Sequence, residues 1–337
     1  MQSSYRSHAV TLSAGLAGAA LATLAGIPAG ALIGSTLAVA GAASAGFRVA
    51  LPKPVRDLAF TVIGISLGSG VDRGLFGQIG TWSVSLSILI ASLIATIMTG
   101  RWILTRGFGL DARTATLAST PGTMANVIAV AADGRGDATA VMFLQVMRLM
   151  VLMIAVPPIA VAFDAQGGGQ IGAMTTMQPL ALAGLLAVAL AVGLPGSWLG
   201  LPAAGLLAGM IVSAAAHASG IVEGMAPGWA IFAAFAITGA VLGTRMSGVT
   251  AAQVGRYAFA GAVTVGAALV VSLVFAGLAL AVTDLPFGQV WIAYAPGGVE
   301  AMAAIGLSLG YDPAFVAIHH FARIFALVLI LPVALRV

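Results

Sequence analysis

The stretch from residue 258 to 282 contains no charged side chain. Its length matches the ~20 apolar residues an α-helix needs to cross the hydrocarbon core of a bilayer. Apolar segments of the same kind occur at 8–26, 28–46, 57–72, 80–100, 137–161, 178–194, 200–216, 227–244 and 313–335. Ten such segments leave almost no polar chain. Lys and Arg number 14 and Asp and Glu 10, about 7% of 337 residues, against roughly 25% in a soluble domain. So few charges cannot cover a water-facing surface, which excludes a soluble enzyme, a DNA-binding protein and a disordered chain. The alternation of a β-barrel strand is absent, and the apolar runs exceed its ~10 residues. The expected class is an all-α integral membrane protein. The first segment, with Arg6 ahead of it, has the outline of a signal peptide, but its counterpart at 178–194 cannot be one. Both are read as spans.

Reactive chemistry is sparse. There is no cysteine, so disulfides, thiolate catalysis and Cys-ligated metals are excluded. The four histidines are His8, His217, His319 and His320. The last two point about 100° apart on a helix and make a poor chelate. No metal site, no cofactor and no nucleophile–base set is expected, and the chain does not read as an enzyme. No run of four basic residues marks a nucleic-acid or lipid-headgroup patch. The 44 glycines allow close helix approach. Those within 12–41 offer a dimerisation face, so a homodimer is an expected partner.

Two segments differ from plain spans. Residues 111–133 are interrupted by Pro121-Gly122, and 286–309 by Pro296-Gly297. Proline removes a backbone donor and glycine opens φ, so a helix should stop and restart there. Each segment either crosses as a broken helix or turns back as a re-entrant hairpin. Basic residues concentrate in cytoplasmic loops. With the N-terminus cytoplasmic and both segments re-entrant, eleven basic residues fall inside and one, Arg73, outside. Full crossings give eight to four. The favoured reading is ten spans plus two hairpins, with both termini cytoplasmic. Five spans per half is odd, so the halves are inverted.

The chain also repeats itself. Pro121, Gly122, Asp137, Val141, Arg148, Leu152 and Pro157 recur 175 residues later as Pro296, Gly297, Asp312, Val316, Arg323, Leu327 and Pro332. Phe60, Gly64, Leu67 and Gly68 recur as Phe235, Gly239, Leu242 and Gly243. At an offset of 174, Ile27-Pro28-Ala29 meets Leu201-Pro202-Ala203. The organisation is repeat 1 at 1–163, a linker at 164–177 and repeat 2 at 178–337. Inverted repeats with interrupted helices are the architecture of many secondary transporters, and the interruptions are the best pointer to the site.

The repeated pattern of Pro-Gly, a Gly/Asp-containing loop, Val-x6-Arg and a late Pro resembles the AbrB-type bacterial inner-membrane proteins. The resemblance covers essentially the full chain and is most specific at Asp137…Arg148 and Asp312…Arg323. It implies a duplicated membrane domain in the inner (cytoplasmic) membrane. Members are often labelled ammonia monooxygenase or transcriptional regulator. This sequence carries no copper or iron ligand set and no soluble DNA-binding domain to match those labels.

Arg148 and Arg323 are the foremost candidate site residues. Each lies eleven residues after its aspartate, about 16 Å along a helix and near the middle of a ~30 Å core. A guanidinium there needs a polar partner. It either grips a carboxylate through bidentate hydrogen bonds or caps carbonyls freed at a helix break. The half-helices after the breaks present unpaired N–H groups to an anion. Thr120, Pro121, Gly122, Thr123 and Asn126 surround the first break, and Pro296, Gly297 and Gly298, with Tyr294 nearby, the second. Glu300, whose counterpart is Ala125, and His319 and His320 are candidates for coupling to protons or sodium; Glu300 also suits plain ion pairing. Asp137 and Asp312 should start their helices, and Trp82, Trp102 and Trp291 should anchor at the interface. The expected function is secondary transport of a small carboxylate-type anion at the midplane between the two broken helices. The alternative is a membrane-embedded ligand sensor or regulatory subunit without net transport.

Overall fold

A computed structural model of the chain describes residues 2–70, 75–122, 124–163, 175–198 and 203–335. These form α1 (Gln2–Leu24), α2 (Gly30–Ser44), α3 (Lys53–Gly68), α4 (Leu75–Trp102), α5 (Ala112–Ser119), α6 (Met124–Val130) and α7 (Ala138–Phe163). Then follow α8 (Pro179–Trp198), α9 (Ala204–Ala218), α10 (Gly228–Thr244), α11 (Ala251–Leu280), α12 (Phe287–Tyr294), α13 (Val299–Ser308) and α14 (Pro313–Ala334). The first seven helices match the last seven one for one. Both ends of α12 lie 175 residues after those of α5, and both ends of α9 lie 174 after those of α2. Ala29 (φ 54°) and Ala203 (φ 52°) take the same left-handed conformation at equivalent positions ahead of α2 and α9. Alanine pays about 1–2 kcal/mol for it, so the turn itself has been kept in both copies.

Among the described residues, seven helices are long and apolar enough to cross a membrane. On several of them the apolar side chains point largely outward. Only 28% of the most apolar window of α11 is buried, and 22% of that of α8. Leu180, Phe259 and Leu329 are each more than two-thirds exposed. A surface of that kind is stable only against lipid. The chain is a multi-pass helical membrane protein.

The helices divide into two compact units, and each takes elements from both repeats. Unit 1 contains α1–α3 and α8–α10. Its helices meet through glycines at equivalent positions. A Cβ at Gly64 would strike the carbonyl of Leu206 on α9, and one at Gly239 would strike that of Leu32 on α10's neighbour α2. The α3–α9 contact is thus the image of the α10–α2 contact, as a pseudo-twofold requires. Gly18 and Gly34 serve the packing of α1 on α2 in the same way. Part of the glycine-rich face expected to dimerise is therefore used within the chain. The end of the expected linker also belongs here, with Met177 donating to the Met225 carbonyl at 2.9 Å. Residues 164–174 lie outside the described residues, as do Arg73 and Arg336.

Unit 2 contains α4 from residue 79, α5–α7, α11, α12, the start of α13 and α14 from residue 318. Asp111 caps α5, accepting from the Thr114 N–H at 2.9 Å, and α5 stops before Pro121. Asp137 starts α7, accepting from the N–H groups of Thr139 and Ala140 at 2.9 and 3.1 Å. The Asp137 N–H donates to Thr114 Oγ1 at 2.7 Å. Further along, Gln145 meets Leu117, and Arg148 meets Thr120. So α5 and α7 begin side by side and run parallel. The intervening chain, with α6, returns to the end where it began, which makes 111–136 a re-entrant hairpin. In the second repeat His320 meets Ile292 and Arg323 meets Ala295, the same parallel pairing. Asp312 opens α14, accepting from the Ala314 N–H at 2.8 Å.

Two of the three expected interfacial tryptophans are elsewhere. Trp291 is fully buried and donates to Ser272 Oγ at 3.0 Å, and Trp82 is 5% exposed. Only Trp102, 64% exposed, faces outward. Proximity to a helix end in sequence was a poor guide because α12 is enclosed by α11 and α7.

Candidate functional site: the paired broken hairpins

The break after α5 leaves carbonyls with no helical partner. Gln145, fully buried on α7, donates its Nε2 to Leu117 O at 2.9 Å and Thr120 O at 3.0 Å. One turn on, Arg148 donates Nη1 to Thr120 O at 3.1 Å and Nη2 to Gln145 Oε1 at 2.6 Å. The second break repeats this. His320 Nε2 is 3.0 Å from Ile292 O, and Ile292 is the counterpart of Leu117. Arg323 donates Nη1 to Ala295 O at 2.6 Å and Nη2 to Gly297 O at 2.5 Å. A guanidinium also offsets the negative end of the half-helix dipole.

The forks of both arginines are thus turned to the protein's own polar groups. Capping of freed carbonyls accounts for both Nη groups of Arg323 and for Nη1 of Arg148. What remains is Nε. In each arginine it is buried and has no hydrogen-bond partner. Among the described residues no carboxylate lies within 4.0 Å of either guanidinium.

The hairpin tips adjoin within unit 2. A side chain at Gly122 would meet Leu327 of α14, and one at Gly298 would meet Leu149 of α7 and Glu300 Oε2. Gly122, with φ 139°, supplies a conformation that other residues rarely adopt. Pro121, Pro296, Gly297 and Gly298 line these tips and are mostly buried. Thr120 is buried, but its hydroxyl donates to Thr116 O at 2.7 Å, within its own helix. Asn126 lies on α6, and Thr123 lies outside the described residues. Glu300 sits half-buried in the first turn of α13, where the helix dipole favours a carboxylate.

His319 and His320 separate in role. His320 caps α12, whereas His319 joins a polar trio that sequence reasoning did not assemble. His319 Nε2 is 2.9 Å from Ser85 Oγ, and Tyr294 donates its hydroxyl to the Ser85 carbonyl at 2.5 Å. All three are buried. Nothing in the sequence around Ser85 on α4 signals this, because the contact spans 209 positions. Gln145 stands 175 residues before His320 and carries no other signal in the sequence. Among the described residues no group of three His, Cys, Asp or Glu is placed to hold a metal ion.

These features define a class: a duplicated helical membrane protein in which two broken hairpins meet in one unit, each closed by a buried arginine. The family description "Transition state regulatory protein AbrB" matches residues 32–337, and the chain belongs to that family. It is similar to the Escherichia coli (strain K12) protein named "Putative regulator AbrB", at 25% identity over 323 residues, covering 92% of this chain and 90% of that protein. No solved structure matches.

Proposed function

We propose that this chain is a secondary transporter of a small carboxylate-type anion in the bacterial inner membrane, working at the two hairpin tips and coupled to protons or sodium. The observation that carries the reading is the buried positive charge. Arg148 and Arg323 sit at adjoining tips, each with a free Nε and with no carboxylate within 4.0 Å among the described residues. A cation so placed is expensive unless it faces carbonyl dipoles, water or an anion. The duplicated broken helices supply two related halves that can alternate around one site. The relative's name favours a second reading, a membrane-embedded ligand sensor, and transport itself separates the two.

The test is uptake of labelled small carboxylates into proteoliposomes holding the purified chain, with and without a proton or sodium gradient. Gradient-driven accumulation is expected. Glu300→Gln keeps the shape but cannot change charge, so it should lose accumulation and retain exchange. Binding without any uptake or exchange would establish the sensor reading instead.

A further inference from the structure

The two repeats treat the same place in opposite ways. In the second, Tyr294 fills a slot against α4 and α14, with its polar atoms satisfied by Ser85 and in contact with the ring of His319. The repeat offset carries Ser85, Tyr294 and His319 onto Ala260, Ser119 and Leu144. There the trio is replaced by a cavity of about 20 Å³, lined by Ser119, Leu144, Arg148, Thr96, Gly261 and Thr264 among others. Both polar atoms that a ligand could use are buried and unpartnered: Ser119 Oγ and Arg148 Nε, on residues 5% and 4% exposed. The hydroxyls of Thr96 and Thr264 already donate to carbonyls of their own helices, at 2.8 and 2.7 Å.

We infer that this cavity seats the carboxylate head of the substrate, and that Tyr294 is a built-in plug of the equivalent seat in the second repeat. The inference rests on the anion-transport reading and adds where the anion goes and how many are held. Ser119 and Arg148 offer two donors, one of them charged, to a group that accepts only. A neutral solute would leave the guanidinium uncompensated. The volume is enough for a water-sized group with little to spare, so it takes the carboxylate oxygens and leaves the rest of the acid outside. One seat per chain follows, because Tyr294 occupies the other. The acid group is therefore held on the side of the first hairpin.

Binding of labelled acetate to the purified full chain tests this, with formate as competitor. Acetate should bind one per chain and be displaced by formate. Ser119→Ala removes a donor to a charged group and should weaken acetate binding about tenfold or more. Ala268→Val enlarges another lining residue and should weaken it by crowding, with the donors intact. The melting temperature without acetate identifies any loss that comes from misfolding, and either variant alone suffices. Wild-type chain that binds or carries acetate, with both variants unchanged, overturns the seat and leaves the transport reading standing. Wild-type chain that neither binds nor carries any of the carboxylates overturns both, and the cavity is then a site for water only.

Discussion

At positions 145 and 320 two different side chains do one job. Gln145 bonds Leu117 O, and His320 bonds the matching Ile292 O. What both copies keep is a donor at that place, not a residue type. Leaving a buried carbonyl unpaired costs about 1–3 kcal/mol. Gln145→Leu should therefore lower stability by about that amount, while Gln145→His, which copies the second repeat, should cost much less. Melting of the two variants in detergent checks the order, and equal losses would show that the donor is unimportant. Arg148 depends on the same residue, since its Nη2 bonds Gln145 Oε1, so the Leu variant also frees half of the fork. The histidine pair was visible in the sequence, but their separate roles were not. Adjacent residues on a helix face different neighbours, and only packing names the neighbours.

Among the elements, the glycine contacts of unit 1 and the breaks of unit 2 answer different needs. Gly64 and Gly239 let helix backbones touch, and such approach drives association in lipid, where apolar burial gives no advantage. Each faces a carbonyl rather than a yielding side-chain end. Gly64→Leu and Gly239→Leu should each destabilise the chain by at least the ~1–3 kcal/mol of overpacking, and by similar amounts because the contacts are images of each other. Thermal melting of both variants measures this, and a loss at only one site would contradict the pseudo-twofold. The breaks, by contrast, were legible from Pro-Gly alone, since a helix cannot continue through that pair. The parallel course of α5 and α7 was not, because it depends on which carbonyl each donor reaches.

For the whole molecule the duplication sets the topology. The Asp137–Thr114 bond makes the first hairpin re-entrant, and the proposed topology, argued from the distribution of basic residues, puts its open end in the cytoplasm. The native chain has no cysteine, so single cysteines can report sidedness. A cysteine at Gly134 should be labelled only from the cytoplasmic side, and one at Gly310 only from the outside. Labelling of both from one side would mean parallel repeats.

The membrane class, the two-fold repeat, the helix starts at Asp137 and Asp312, and the breaks at Pro121 and Pro296 were all determined by the sequence. Each follows from local chemistry: apolar length, a capping carboxylate, a missing N–H. The roles of the arginines were not, because a buried guanidinium is equally at home on a carbonyl or a carboxylate. Tertiary structure decided that Arg148 and Arg323 turn their forks to protein groups and keep Nε free. It also decided that α1–α3 and α8–α10 share one unit, while the first hairpin and the tip of the second share the other. Such pairings join residues more than a hundred positions apart, and close packing chooses among partners that the sequence leaves equivalent.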